Sequence, residues 1–432
     1  MNEQHGPAAE AAEQRRRVRA WCLYDWANSA FATSVTVVFM PLFYQTVAAA
    51  PLEPTQRTAL YAYTTAFSTV LIALLAPILG AVADMARAKK RFLAAFAGLG
   101  ILFTSALPFV GEGAWRVASA FFMIASLGFA GSLVFYDSLL PHVARPEEID
   151  RVSARGFAWG YCGGGVLLAL QVAAFVGLGP SRRGAVMRGA FVTTALWWLI
   201  FMQPLLRRVP EPGADAGAAA VPPWRLVAAA FRQIWTTLRH LGRYRQAALF
   251  LVAFYFYNDG IQTVIKMATS YGGELDLPQA AMVGAVLATQ FVAMPFAILF
   301  GRLAGWIGVK RAILLAVGVY IAISIVGFGM TRVWHFWVLA ILVGTVQGGA
   351  QALSRSLFGS MVPRSRSAEF FGFYSVSTKF AGILGPFIFG VISQRAGSSR
   401  LSILALVSLF LVGGALLWRV DEQKGRAQAL AG

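Results

Sequence analysis

Charged and amide side chains recur inside apolar stretches of this chain, where a polar group is costly unless it has a partner or faces water. In LYDWANSAFAT, residues 23–33, an acid and an amide lie one helical turn apart, and FYNDGIQT, residues 256–263, repeats that arrangement. Groups of this kind in membranes commonly bind protons, ions or polar solutes. The candidate residues are Asp25, Asn28, Asp137, Asn258, Asp259, Gln262, Lys266, Gln347, Gln351, Arg355 and Lys379.

The composition indicates an integral membrane protein. The 432 residues are 58% hydrophobic and 13% charged, with a mean hydropathy of +0.63, whereas soluble domains carry about 25% charged residues. Both cysteines, Cys22 and Cys162, lie in apolar stretches, and no Cys/His spacing suggests a metal site. We therefore expect no disulfide, no metal and no cofactor.

The elements that must position these residues are predicted to be membrane-spanning helices, each about 20 residues or longer. The apolar runs are continuous rather than alternating, which excludes a closed β-barrel. The expected fold class is an all-α membrane protein with twelve transmembrane helices. The predicted spans are 20–47, 58–83, 91–110, 115–140, 153–179, 186–206, 246–271, 279–303, 311–330, 334–360, 368–394 and 400–419.

The basic residues predict the orientation of the chain. Most of the 37 lysines and arginines fall in segments on the same side as the N-terminus, and such segments are usually cytoplasmic. Both tails, 1–19 and 420–432, are therefore expected in the cytoplasm. This distribution accounts for the net charge of +18 without nucleic acid. The pair Arg182-Arg183 lies on the opposite side and is the exception.

The interval 207–245 is predicted to be a cytoplasmic linker. Its first part, EPGADAGAAAVPP, has the composition of a flexible segment. Apolar residues then recur every three or four positions over 224–241, with Arg225, Arg232 and Arg239 on another face. This pattern predicts a basic amphipathic helix lying on the inner membrane surface. The alternative is a helix packed beneath the bundle.

Two related halves are expected on either side of the linker, over 20–206 and 246–419. FYDSLLPHV at 135–143 is similar to SRSLFGSMV at 354–362, each closing the fourth span of its half. Inverted or parallel repeats of this kind are typical of secondary transporters.

A loop between the second and third spans carries the resemblance to a known superfamily. Six residues, Gly80, Asp84, Arg87, Lys89, Lys90 and Arg91, match the glycine-acid-basic signature of the major facilitator superfamily. Within it the chain resembles the vacuole effluxer family, the relatives of the yeast autophagy-linked amino-acid effluxer. The matching stretches are YDWANSAFAT, RVSARGFAWGYCGGG, FYNDGIQT, QGGAQALSRSLFGSMVP and AEFFGFYSVSTKFAGILGP. Asp137 departs from this family, which has an amide there.

The resemblance implies roles for the candidate residues. The loop residues are expected to form a gate. Their charged side chains would bridge to a neighbouring helix and would separate when the cytoplasmic side of the transporter opens. The alternative is that the loop is simply solvated. Asp259, near the membrane midplane, becomes a site for a coupling proton or a substrate ammonium. Lys379 is expected either to hold a substrate carboxylate or to pair with Asp259, and Gln262, Gln347 and Gln351 are expected to orient the ligand. In the alternative interpretation, the buried acids and bases only neutralise each other.

The expected function is secondary active transport of a small polar solute, with an amino acid favoured by the resemblance and a proton as candidate coupling ion. Another small solute, an organic acid or a drug, is the alternative. An ATP-driven pump is excluded because no Gly-Lys dipeptide and hence no Walker A loop occurs. A receptor or a membrane enzyme is less favoured. We expect a monomer among lipids, in a bacterial inner membrane.

Overall fold

The computed structural model describes residues 7–52, 54–212, 229, 232, 235–236, 244–274, 277–385, 387–389, 392 and 399–430. These residues form helices joined by short turns and no β-strand. The all-α class predicted from the apolar runs is thereby confirmed. The predicted amphipathic helix 224–241 lies mostly outside the described residues; the described positions within it are helical.

Six long helices make up the N-terminal half. They are α1 (Pro7–Ala30), α2 (Pro54–Met85), α3 (Lys89–Ala106), α4 (Trp115–Val143), α5 (Ile149–Gly177) and α6 (Arg183–Arg208). α1 continues beyond its last residue in π-helical turns at Phe31–Phe39 and Tyr44–Ala48, separated by one α-helical turn at Met40–Phe43. Such wide turns free backbone groups from the regular ladder and often occur at functional sites.

The C-terminal half repeats this arrangement and adds one short helix. Its helices are α7 (Arg245–Glu274), α8 (Gln279–Ile307), α9 (Val309–Phe328), α10 (Val333–Ser360), α11 (Ser367–Phe380), α12 (Ser399–Trp418) and α13 (Glu422–Leu430). Among the described residues, eleven helices are long and apolar enough to cross a membrane. The remaining predicted span, 368–394, differs from the expectation because it is interrupted.

The interruption follows α11. Ala381 has extended backbone, Gly382 has a φ of +92°, and helical structure resumes at Leu384. A positive φ is a conformation that glycine adopts at little cost. The sequence AGILGP across the break combines two glycines with a proline, which disfavours a continuous helix. Broken helices at membrane depth are typical of transporter sites.

Each half has its own apolar core. Trp21, Tyr136 and Trp198 are fully buried in the first half, and Phe250 and Phe410 are fully buried in the second. Each half can therefore retain its packing while the contacts between the halves change.

The two halves contact each other through α2 against α11 and through α5 against α8 and α10. They approach each other closely at Gly80, where an added Cβ would lie 2.1 Å from the carbonyl oxygen of Ala368. We call the end of the bundle near this contact the basic end. It contains the turn segments 86–88, 144–148, 308 and 361–366.

Candidate functional site

A buried arginine from one half holds two carboxylates from the other. Arg355 on α10 is 3% exposed, and its Nη1 lies 3.0 Å from Asp137 Oδ1 on α4. Its Nη2 lies 3.3 Å from Asp25 Oδ2 on α1. Three residues that the sequence marked separately are thus brought together into one cluster, which we call the Arg355 cluster.

Several further polar atoms of the cluster are also paired. Tyr136 donates its hydroxyl to Asp25 Oδ2 at 2.7 Å. Arg355 donates Nε to Ser153 Oγ and Nη2 to the Ser153 carbonyl, each at 3.0 Å. Ser153 in turn donates to the Ala352 carbonyl of the opposite half at 2.8 Å. A buried charge is tolerated when its hydrogen bonds are satisfied in this way.

Aromatic rings enclose the guanidinium. Its Cζ lies 4.2 Å from the ring centroid of Phe157, 4.9 Å from Trp21 and 5.6 Å from Tyr136. Trp21 and Tyr136 also stack on each other, with centroids 4.4 Å apart. Cation–π contacts are strongest where water is excluded, so this setting stabilises the arginine in its present position.

The cluster joins the halves electrostatically and has one surplus acid. Two carboxylates share one guanidinium, so adding a single proton would make the group neutral. Because the arginine and the acids belong to different halves, any motion that separates the halves here must break these bonds. Asp25 is therefore buried in an interface instead of lining an open passage in this structure.

The predicted gating loop makes a second contact between the halves. Lys89 Nζ lies 2.8 Å from Asp84 Oδ1 and donates to Ser367 Oγ at 2.6 Å. Asp84 Oδ2 accepts the backbone N–H of Glu369 at 2.8 Å. Glu369 is bound through its side chain to Arg366 at 2.8 Å. These contacts join the loop and the end of α2 to α11 of the other half.

The other loop residues have different surroundings. Arg87 has left-handed backbone, with a φ of +49°. The backbone N–H of Lys90 is held by both carboxylate oxygens of Glu211, each at 3.1 Å. Arg91 is exposed on α3.

Asp259 holds the broken helix. It is fully buried on α7, and its carboxylate accepts the backbone N–H groups of Gly382 and, at 2.6 Å, of Gly385. These N–H groups belong to the start of the helical segment after the break, where unpaired donors attract negative charge. The sequence marked Asp259 as a candidate site, and its hydrogen-bond partners here are backbone donors of the same half.

Two lysines lie near this break. Lys266 is exposed on α7, and an added Cβ at Gly382 would lie 2.6 Å from its Nζ. Gln262, one turn earlier on α7, is close to the same glycine. Lys379 is the residue before the last of α11; its side chain lies outside the described residues.

A cavity of about 140 Å³ opens between helices of the C-terminal half. Its walls are mostly apolar, with a few polar groups, and include Ile265, Ala268, Tyr271, Thr289, Gln290, Ser324, Phe336, Leu339, Val343, Gln347, Phe389 and Leu406. Gln290 lies beside Gly165 of α5, and Tyr161 of α5 donates to Gln351 Oε1 at 2.8 Å. The polar side of the cavity therefore faces the junction of the halves.

The two candidate asparagines are buried on equivalent helices. Asn28 on α1 and Asn258 on α7 are each 2% exposed. Among the described residues, the Nδ2 of each has no hydrogen-bond partner. Among the described residues, no hydrogen bond joins either asparagine to the Arg355 cluster.

Several residues of the site were not predicted from the sequence. Tyr136 lies within FYDSLLPHV and Ser153 within RVSARGFAWGYCGGG, but a tyrosine and a serine in an apolar helix give no signal of their partners. Phe157 reads as an ordinary apolar residue. Phe157 and Tyr161 also lie in RVSARGFAWGYCGGG, but the stretch does not indicate which residue of the other half each one contacts.

The fold and these paired polar groups between two helical halves define a transporter of the major facilitator type. The structure of the proton:xylose symporter XylE, bound to 6-bromo-6-deoxy-D-glucose, matches with a TM-score of 0.75 at 13% identity, covering 98% of this chain and 99% of that one. A bacterial homologue of the iron transporter ferroportin, in an outward-facing state, matches with a TM-score of 0.67 at 12% identity, covering 94% and 98%. These likenesses establish the shared fold.

The family follows from sequence. Residues 52–430 match the model described as vacuole effluxer Atg22 like, and the chain belongs to this family. The uncharacterized MFS-type transporter YxiO of Bacillus subtilis (strain 168) is 36% identical over 413 residues, which are 94% of this chain and 95% of that protein. The resemblance inferred from the motifs is thereby confirmed.

Fungal relatives are more distant. Autophagy-related protein 22-2 of Emericella nidulans is 27% identical over 314 residues, or 65% of this chain and 53% of that protein. The match spans about half the length of these fungal relatives. The protein is therefore a multi-pass membrane transporter, while its solute is a separate question.

Proposed function

We propose that the protein is a secondary active transporter that moves a small amino acid by alternating access of its two halves. The observation that carries this proposal is the cavity of about 140 Å³ with amide groups facing the junction of the halves. An apolar pocket with few, well-placed polar groups is the usual design of a small-molecule site.

The cavity suits a solute with both polar and apolar parts. Gln290 and Gln347 line the cavity and can hydrogen-bond a polar head group. The apolar walls behind them, formed by residues such as Leu339 and Leu406, fit a hydrocarbon side chain. Lys266, exposed near the helix break, supplies a cation that a carboxylate can approach. A neutral amino acid has groups that match these: a polar head group with a carboxylate and an apolar side chain.

Coupling to protons is assigned in this proposal to the carboxylates. The Arg355 cluster has one surplus acid, and protonation of Asp137 or Asp25 would weaken its hold on the arginine of the other half. Asp259 remains a second candidate carrier, although its oxygens bind backbone donors. The solute alternatives are an organic acid, a drug or another small polar molecule.

The proposed location is a bacterial inner membrane, with both termini and the basic end in the cytoplasm and the protein acting as a monomer. The basic residues of the loops support this orientation. Labelling of a cysteine introduced at Ser181, which is exposed beside Arg182, tests it. We expect reaction with an impermeant maleimide added outside whole cells. Failure to react, in protein that is folded and inserted, would reverse the assignment of that loop.

The test of function is uptake and counterflow in proteoliposomes with a panel of labelled amino acids, organic acids and sugars. We expect saturable flux of at least one amino acid. Gln347→Leu should raise its KM about tenfold, since a lost hydrogen bond to a polar solute costs about 1–2 kcal/mol.

The matched control is Gln203→Leu. Gln203 lies on α6, and its amide donates to the Leu199 carbonyl of its own helix at 3.1 Å, so the same change there should leave KM unaltered. Equal effects of the two substitutions, or flux of an organic acid or drug alone, would contradict the amino-acid assignment. No flux of any solute would point to the receptor or enzyme alternatives.

A further inference from the structure

An apolar groove lies on the N-terminal half, between α5 and α6. Its volume is about 460 Å³. α5 begins beside the basic end and finishes at Gly177, so the groove lies towards the opposite end of the bundle, which we call the far end. Its walls are mainly aliphatic and include Leu167, Leu170, Ala174, Leu178, Val186 and Gly189. The function proposed above does not use this groove.

The groove is about as long as one leaflet of a bilayer is thick. Along α5 its lining runs from Leu167 to Leu178, which at 1.5 Å per residue spans about 16 Å. The hydrocarbon core of a bilayer is about 30 Å thick, so one leaflet contributes about 15 Å. Leu170 is 62% exposed within a membrane-spanning helix, and the main contacts of α6 are with α1 and α3 of its own half. The groove can therefore hold one acyl chain that runs along the bilayer normal.

The polar side chains beneath the groove are bonded to each other. Gln171 is 6% exposed, and its Nε2 donates to Thr193 Oγ1 at 2.9 Å and to Thr194 Oγ1 at 3.1 Å. The same nitrogen donates to the Ala190 carbonyl at 3.2 Å. These bonds join α5 to α6 and leave walls that suit a hydrocarbon chain.

One cation lies at the mouth of the groove. Arg182, in the turn between α5 and α6, is exposed and lines the groove. Among the described residues its side chain has no ion pair or hydrogen bond. The other arginines nearby have partners: the Arg183 guanidinium lies 5.3 Å from the Phe175 ring centroid, and Arg188 donates to backbone carbonyls that follow α3. The groove thus combines apolar walls with one guanidinium that can bind an anion.

A phospholipid supplies both complementary parts. Arginine in the loops opposite the basic end runs against the usual distribution of basic residues in membrane proteins, so a use for Arg182 is expected there. The planar fork of a guanidinium matches the oxygens of a phosphate and binds them through charge-assisted hydrogen bonds. In a bilayer that phosphate lies at the surface of the leaflet, directly above its own acyl chains.

We propose that this groove binds one anionic phospholipid from the leaflet at the far end, with its phosphate on Arg182 and one acyl chain along α5 and α6. The charge of Arg182 selects the head group, and the length of the groove selects the acyl chain. The bound lipid covers the junction of α5 and α6 and so stabilises the N-terminal half. This binding is independent of the transported solute and of proton coupling.

The experiment measures lipid binding to the full-length protein, delipidated in a neutral detergent, by native mass spectrometry. Phosphatidylglycerol and phosphatidylcholine with identical acyl chains are supplied at equal concentrations. Both contain the phosphate, but phosphatidylglycerol has a net negative charge and phosphatidylcholine is neutral. We expect the first molecule of phosphatidylglycerol to bind at least about fivefold more tightly. Equal binding of the two lipids would overturn the assignment of an anionic occupant.

The head-group contact is tested on two adjacent arginines. Arg182→Gln should lower the affinity for phosphatidylglycerol at least about fivefold and remove the preference over phosphatidylcholine. Arg183→Gln removes the same charge from the next residue, which does not line the groove, and should change the affinity less than about twofold. Equal effects of the two substitutions would show that binding follows net charge, which would overturn a specific site.

The acyl-chain contact is tested on two glycines. Gly189 lines the groove and Gly177 does not, and an added Cβ at either position meets no atom within 4 Å, so leucine should be tolerated at both. Gly189→Leu fills part of the groove and should lower the affinity at least about fivefold, whereas Gly177→Leu should leave it unchanged. If Gly189→Leu bound phosphatidylglycerol as tightly as the unmodified protein does, the acyl chain would not lie in this groove.

Discussion

The Arg355 cluster and the Asp259 site both bury carboxylates, but they neutralise them in different ways. In the cluster, Asp25 and Asp137 depend on an arginine from the other half. Asp259 depends on backbone N–H groups of its own half, at the break after α11. The ion pairs of the Arg355 cluster exist only while the two halves are packed against each other as they are in this structure. The second can move with its half as a unit.

This difference separates residues that control the transition from residues that maintain a shape. A contact between halves has to form and break in each cycle of alternating access, whereas a contact within one half has to persist. Substitutions at the two sites should therefore have different effects. A substitution in the Arg355 cluster should change which end of the protein is accessible to solvent, whereas a substitution of Asp259 should change only the stability of the fold.

The largest effect is expected for Arg355→Gln. This change leaves two buried carboxylates without their cation, and breaking a buried pair in this way costs about 3–5 kcal/mol. The halves should part at the basic end to hydrate the acids. Ser356→Cys, fully buried on α10, provides the probe: its labelling by a permeant maleimide should rise about tenfold or more in the Arg355→Gln background.

A variant without any of the charges is the control for this prediction. Asp25→Asn and Asp137→Asn, combined with Arg355→Gln, leave no uncompensated ion and should return labelling of the cysteine towards its original level. If Arg355→Gln alone left labelling unchanged in folded protein, the cluster would not be a contact that keeps the basic end closed.

A smaller and different effect is expected for Asp259→Asn. Asparagine keeps one acceptor oxygen but turns a donor group towards the second backbone N–H, which costs about 1–3 kcal/mol. The thermal midpoint of unfolding should fall, while labelling of Ser356→Cys stays the same. Solute flux into proteoliposomes should also be measured at several pH gradients. If the unmodified protein and the Asp259→Asn variant gave identical flux at every gradient, Asp259 would be excluded as the proton carrier.

Asp137→Asn is the matched substitution at the other site. Arg355 would keep Asp25 as its partner, so the loss of stability should be less than for Asp259→Asn, but the accessibility of the cysteine should increase. If both aspartate variants changed accessibility equally, the distinction between contacts across the halves and contacts within one half would be lost.

Local sequence features predicted the all-α membrane fold, because the length of an apolar run can be read residue by residue. They also marked Asp25, Asp137 and Arg355 as unusual. They did not reveal that these three meet, because the pairing depends on how α10 packs against α1 and α4. The same limit hid Phe157, whose contact with the guanidinium is set entirely by the packing.

The helix break could have been predicted more sharply. The run AGILGP over 381–386 places Gly382, Gly385 and Pro386 within one predicted span, and such interrupted segments point to transporter sites. The π-helical turns at Phe31–Phe39 had no such signal, since FATSVTVVF contains neither glycine nor proline.

The smallest effects are expected for substitutions of two surface glutamates, each of which accepts a backbone N–H of its own half. Glu211 follows α6 and holds the Lys90 N–H at the start of α3, and Glu422 follows α12 and holds the Lys310 N–H at 3.0 Å near the start of α9. The two halves thus use the same cap at equivalent places. Glutamine keeps an acceptor oxygen, so either substitution should cost about 0.5–1 kcal/mol or less.

The Glu211 cap also allows a pH test that sharpens the contrast with the Arg355 cluster. Burial raises the pKa of the Glu211 carboxyl above its usual value of 4.5, against the opposing pull of the Lys90 N–H and ammonium. The folded protein therefore holds this proton to higher pH than the unfolded chain, and the contribution of Glu211 to stability declines as pH rises from that value through the raised pKa. Glu211→Gln should flatten that part of the stability profile without changing the labelling of Ser356→Cys. A change in labelling would mean that the Glu211 cap also affects how the two halves pack against each other.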